Sequence, residues 1–215
     1  MIECVGGYSD LEKVSRELFL AVKDAARELR PKGAPKLTYI YTSGVWVHGD
    51  SRTEIFTDTT PVRSPVEICA WRPELEQLII NDQTLNGIVI RPAFVYGRSA
   101  SLFGSFFKSA SEGHISFPGT PGGRVSTVHT DDLAELYVKA AERAGICGGL
   151  IFGAADGRTE SIDDILSSLV KLTGAKGYEY KKPTNRMSLI GLHSSRVIDH
   201  VISSIRRGPC GNLNH

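Results

Sequence analysis

Residues 36–43, KLTYIYTS, constrain the fold of this chain more than any other stretch. Aromatic and β-branched side chains fill the run almost without a polar break, which suits a strand covered on both faces. Two similar runs follow, GIVIRP at 87–92 and GLIFGA at 149–154, and helical patterns separate all three. The first helix is expected over residues 9–30, where Leu11, Val14, Leu18, Val22, Ala25 and Leu29 recur three or four apart. Ser9 and Glu12 fit a capping box, and Pro31 and Gly33 end the pattern. Pro73 is placed to open a second helix at PELEQLII, and a third covers roughly residues 100–112. Asp131 or Asp132 is expected to cap a fourth, in which Leu133, Leu136, Tyr137, Ala140 and Ala144 share a face and Gly145 is the stop. Ile162, Ile165, Leu166, Leu169 and Leu172 mark a fifth, ending at Gly174. Strands that alternate with helices imply parallel crossovers, so the expected class is α/β with a doubly wound parallel sheet.

Charge narrows the partners. Lys and Arg total 25 against 24 Asp and Glu, a net +1, so no overall field draws the chain to nucleic acid or to an anionic membrane. No apolar stretch approaches the ~18 residues that span a bilayer. Cys4, Cys69, Cys147 and Cys210 show no paired metal spacing, and no charged-then-apolar leader opens the sequence. The expectation is a cytoplasmic protein with reduced thiols and no metal, and electrostatics names no partner.

Three segments take a strand into a turn of small residues, the setting of ligand crevices in open α/β sheets. They are YTSGVWVHG at 41–49, RPAFVYG at 91–97 and VHTDDLA at 128–134. In this order they resemble the extended short-chain dehydrogenase/reductase superfamily, its NAD(P)-dependent epimerase/dehydratase group, and the resemblance covers most of the chain. It implies a partial doubly wound, Rossmann-like sheet with a small C-terminal substrate lobe, and NAD or NADP as cofactor. By position it implies cofactor contacts from Thr42, Ser43, Gly44, Arg72, Pro92, Ala93 and Val95, a catalytic hydrogen bond from Ser43, and a substrate side that includes Tyr96 and His129. Residue by residue there are plainer readings. His129 reads equally as a packed residue, Arg91 more often as an ion-pair partner, Asp132 more often as a helix cap, and Trp46 and Trp71 equally as core or lobe packing and as ligand stacking.

The sequence departs from the family in two places. No Gly-x-Gly occurs among its 22 glycines, although the family grips a pyrophosphate with a Gly-rich turn. The opening MIECVGGYSD is similar to the end of the family's fourth strand, so the first half of the dinucleotide domain is expected to be missing, through an internal start, a gene-model truncation or a short isoform. Where the family has Tyr-x-x-x-Lys this chain has Ile68 and Arg72, and Gly44 falls at the Ser/Thr position with Ser43 one place early. The spacing recurs at Tyr178 and Lys182, but YEYKKP alternates like a strand, which separates the two side chains. The expected division is a truncated NAD(P)-binding domain at 1–155 with lobe insertions near 98–125, a lobe segment at 156–207 and a tail at 208–215. Three readings stay open: a reductase or epimerase/dehydratase-like enzyme for a small polar or carbonyl substrate, a non-catalytic nucleotide-sensing or protein-binding relative, and an inactive fragment. An exposed sheet edge or helix face would allow a homo-oligomer.

Overall fold

A computed structural model describes residues 1–6, 10–51, 53–98 and 103–181, with the backbone of 196–197. Four parallel strands, β1 (Ile2–Glu3), β2 (Leu37–Thr42), β4 (Leu85–Pro92) and β8 (Ile151–Ala154), lie side by side in that order. Helices α1 (Leu11–Leu29) and α2 (Arg72–Ile80) cover one face of this sheet, and α4 (Thr130–Glu142) with the short α5 (Ala144–Cys147) covers the other. The two-residue period of the strands divides the cores. Tyr39, Tyr41 and Val89 pack with Phe19, Leu75 and Ile79 on the first face, whereas Ile40, Ile88 and Ile90 meet Leu136, Tyr137 and Ala140 on the second. This is the α/β arrangement that the three apolar runs imply.

Gly87 is required by the close approach of α2 to β4. A Cβ there would lie 2.1 Å from the carbonyl oxygen of Ile79. Farther along, β5 (Phe94–Tyr96), β7 (Arg124–His129) and β9 (Thr159–Ser161) make a second sheet, and β6 (Ile115–Pro118) pairs in parallel with β10 (Tyr178–Lys181). A short parallel contact joins β3 (Ile55–Phe56) to β11 (Arg196–Val197). With α3 (Gly104–Ser111) and α6 (Ile162–Thr173) the second layer buries its own core around Phe94, Phe103, Phe117, Ile162 and Leu166. Tyr178 lies on a strand, as its alternation predicts; Lys182 falls outside the described residues, as do the tail at 208–215 and most of 182–207.

Several local expectations need correction. The buried face of α1 is Ser15, Phe19 and Ala26, with Val14 41% and Leu29 79% exposed. Ser15 is on this face because its hydroxyl donates to the buried carboxylate of Glu3 at 2.9 Å, and Phe19 because its ring meets Tyr39 at 5.7 Å. A polar anchor therefore outranks the leucine stripe. Ser9 of the expected capping box is outside the described residues; Asp10 occupies the N-cap in a left-handed conformation with no side-chain cap bond. The cap of α4 is His129, whose Nδ1 accepts from the Asp131 amide at 3.2 Å, and Asp131 and Asp132 lie in the first turn, where carboxylates suit the helix dipole. Gly145 does not stop that helix; it lies within α5, after the break at Arg143. Gly174 does terminate α6, in a left-handed conformation at φ 72°.

Candidate functional site

The carboxyl ends of β2 and β4 open into a cavity of about 580 Å³. Thr42, Ser43, Gly44, Arg72, Pro92, Ala93 and Val95 all line it, joined by Gly6, Val45, Trp46, Cys69 and Phe94. Every side chain that the sequence placed beside a cofactor is thus in one wall. The backbone is pinned on both strands: Ser43 N–H donates to Ile90 O at 2.7 Å and Ala93 N–H to Ala154 O at 2.8 Å. Gly44 has an extended φ of 177°, which any residue can adopt, and a Cβ there would meet nothing closer than Pro92 O at 3.9 Å. Neither strain nor packing calls for glycine; its missing side chain keeps the crevice floor clear.

The hydroxyls at this floor differ in their commitments. Thr42 Oγ1 donates to the Glu3 carbonyl and lies 2.6 Å from the Tyr137 hydroxyl, so it holds the sheet to its neighbours. Ser43 is 8% exposed and its Oγ has no hydrogen-bond partner among the described residues. A buried hydroxyl without a partner is costly in a folded protein, and at a ligand site the partner is the ligand.

Arg72 opens α2 and forms the cationic side of the crevice. Its Nη1 donates to the Tyr41 hydroxyl and to the Thr42 carbonyl, each at 2.9 Å, and its guanidinium lies 4.7 Å from the centre of the Trp71 ring. One turn farther on, Glu76 is fully buried and takes two bonds from Arg91, Nε to Oε1 at 3.1 Å and Nη2 to Oε2 at 2.5 Å. Arg91 is therefore an ion-pair partner within the core. Its Nη1 also lies 3.1 Å from His48 Nε2. A guanidinium only donates, so Nε2 must accept and the neutral ring carries its proton on Nδ1, which is buried without a partner among the described residues. Burial, helped by the charge of Arg91, pulls the His48 pKa down to about 4, and the ring stacks on Phe56 at 5.1 Å.

The crevice lining contains no carboxylate, imidazole or phenol among its described residues. Ile68, which the sequence resemblance sets at the position of a tyrosine, is apolar and lies on the short turn before α2. The nearby phenols are not substitutes: burial raises Tyr41 despite the Arg72 charge, and burial likewise raises Tyr137. Burial also pushes the Cys69 thiol up to about 11, with its Sγ donating to Val66 O at 3.3 Å. Cys69 was not foreseen as a cavity residue, whereas Trp46, open in the sequence between packing and ligand stacking, is in the lining. The signal available for Cys69 was its position three residues before Arg72.

Tyr96 and His129 stand apart from this group. Alternation along β5 turns Val95 to the crevice, while the Phe94 ring packs on Phe103 at 4.3 Å and Tyr96 meets the His129 ring at 5.2 Å. Tyr96 lines a separate cavity of about 610 Å³ with Arg98, Phe103, Phe107 and Leu169. His129 caps α4 and covers Gly97, whose φ of 97° and lack of a side chain leave room for the ring: a Cβ would lie 2.2 Å from Nε2.

No family model and no curated protein sequence matches the chain. Solved structures do. The chain aligns with the dTDP-glucose 4,6-dehydratase of Bacillus anthracis, solved in complex with NAD, at a TM-score of 0.76 and 14% identity, covering 96% of this chain and 66% of that one. Human epimerase family protein SDR39U1 (isoform 2), solved with NADPH, aligns at 0.71 and 14% identity, covering 96% and 76%. UDP-glucuronic acid 4-epimerase of Bacillus cereus, in complex with UDP-glucuronic acid and NAD, aligns at 0.64 and 18% identity, covering 89% and 61%. The chain spans about two thirds of the length of the first of these. Among the described residues, no helix is long and apolar enough to cross a membrane. The parallel sheet, its helices on both faces and these alignments give the chain the Rossmann-like fold of the NAD-dependent epimerases and dehydratases.

Proposed function

We propose that the crevice at the ends of β2 and β4 receives the nicotinamide end of NAD or NADP, as part of an oxidoreductase or epimerase/dehydratase-like protein for a small polar or carbonyl substrate. The observation that carries this reading is the convergence of all seven expected cofactor residues on one cavity, with the unpartnered hydroxyl of Ser43 in its wall. Bound there, the dinucleotide would supply the hydride. Ser43 would donate to a carbonyl oxygen, Arg72 would position the ligand by hydrogen bonds, and Gly44, Pro92, Ala93 and Val95 would form the wall against the ring. Tyr96, which lines the neighbouring cavity, and His129, packed against its ring, remain the proposed substrate side.

A second reading, a nucleotide-sensing relative without turnover, draws support from the lining itself, which among the described residues offers no carboxylate, imidazole or phenol in place of the family's tyrosine. Calorimetric titration of the folded 215-residue chain with NADPH and with NADH tests both. Saturable binding that weakens in Gly44→Val is the expected result, and a folded chain that binds neither dinucleotide refutes the proposal. Hydride transfer to a panel of small aldehydes and ketones then separates enzyme from sensor.

A further inference from the structure

A second cavity, of about 760 Å³, lies between the first half of α1 and the turn that leads into α2. It shares Trp46, Cys69 and Arg72 with the crevice, so both spaces border the same three side chains. Its charges are mostly internally matched. Arg16 bonds Glu12 at 3.0 Å and Glu74 at 2.9 Å, and Lys13 lies 3.9 Å from Glu17. Asp10 stands exposed at the end of α1.

Arg72 differs from these. Both of its described bonds come from Nη1, which leaves the Nε and Nη2 edge, the fork that grips a carboxylate with two parallel bonds, uncommitted. Glu76, the acid one turn away, is already taken by Arg91. Arg72 forms no ion pair among the described residues, although it is half-buried and held in place by Tyr41, Thr42 and the Trp71 ring. A fixed cation bordering both cavities, beside the unpartnered Ser43 hydroxyl, is complementary to an anion. The remaining shared surface is apolar and aromatic.

We infer that the space around these shared residues binds a small planar carboxylate, with its anionic head on the free edge of Arg72 and on Ser43 Oγ, and its ring or unsaturated body against Trp46. One uncommitted cation matches one negative charge, which favours a monocarboxylate over a phosphate ester. On the reading above this molecule is the substrate of the same crevice, and the inference rests on that reading for its meaning.

The chain has two tryptophans, Trp46 lining both cavities and Trp71 the second, so intrinsic fluorescence reports on this region. Benzoate is the probe and benzamide its neutral counterpart. The expected result is a saturable change in tryptophan emission with benzoate at a Kd in the millimolar range, as suits a small ligand. Benzamide should bind at least tenfold more weakly, and so should benzoate to Arg72→Gln, with part of the loss restored in Arg72→Lys. Equal binding of benzoate and benzamide to the unaltered chain, or only a linear unsaturable drift, overturns the inference without relying on any variant. NADPH calorimetry on the same preparation separates the two claims. NADPH binding without benzoate binding removes this inference alone, and benzoate binding without NADPH binding supports the anion site while removing the dinucleotide reading.

Discussion

Replacing His48 by glutamine should flatten the dependence of stability on pH between about 6.5 and 4. The folded chain holds His48 neutral until its pKa of about 4, because the ring is buried and its Nε2 faces Arg91. An unfolded histidine takes up its proton near pH 6.5. Across that window the unfolded state binds one more proton than the folded state, so stability rises with pH and falls as the solution is acidified. The contribution is whole above pH 6.5 and lost as pH drops towards 4. At 1.36 kcal/mol for each pH unit the window holds roughly 3 kcal/mol, and nearer 2 once water enters the loosened site. Urea unfolding at pH 7, 6, 5 and 4.5, with circular dichroism as the signal, gives the slope for each protein. Carboxylates titrate in the lower part of this range in both proteins, so the difference between the slopes isolates His48. Identical slopes would refute the argument, since they would mean that position 48 takes up its proton equally in the folded and unfolded chains.

Other outcomes follow from the same contacts. Glu76→Gln leaves the Arg91 guanidinium buried without its counter-charge and should lower stability by about 3–5 kcal/mol in urea unfolding, whereas a loss under 1 kcal/mol would show that water reaches the pair. Gly87→Ala sets a methyl 2.1 Å from Ile79 O and should cost about 1–3 kcal/mol by forcing α2 away from β4; an unchanged unfolding midpoint would refute that packing. Gly44→Val should leave the midpoint within about 0.5 kcal/mol, because its Cβ meets no close atom, while reducing dinucleotide binding by calorimetry. Tyr137→Phe removes one of the partners of Thr42 and should cost about 1 kcal/mol, read from the same unfolding curves.

The main sheet was legible because its three long strands are nearly unbroken apolar runs, and a strand covered on both sides has few other compositions open to it. The crevice was legible for a related reason: Thr42 to Gly44 and Pro92 to Val95 sit where such strands end, and strand ends in a parallel sheet face one side. What escaped was set by contacts between distant residues. Nothing near Ser15 in sequence announces that Glu3 needs its hydroxyl, and so the face of α1 was read one position away from its true line. His129 carried no local sign that it would accept the Asp131 amide and cover Gly97, since both roles depend on the turn that brings β5 beside β7. Cys69 entered the cavity through a short helical turn before α2 that has no periodic signature of its own.

The spacing of Arg72 and Glu76 has a mechanical consequence. Arg72 ties the first turn of α2 to β2 through Tyr41 and Thr42, and Glu76 ties the next turn to β4 through Arg91. Two fastenings to two adjacent strands, one turn apart on the same side, oppose both rolling about the helix axis and sliding along it. Packed helices commonly relax by such small shear displacements. Here that degree of freedom is blocked, and the wall of the crevice that bears Arg72 behaves as a fixed jaw, so adjustment to a ligand's shape falls to the surfaces opposite it.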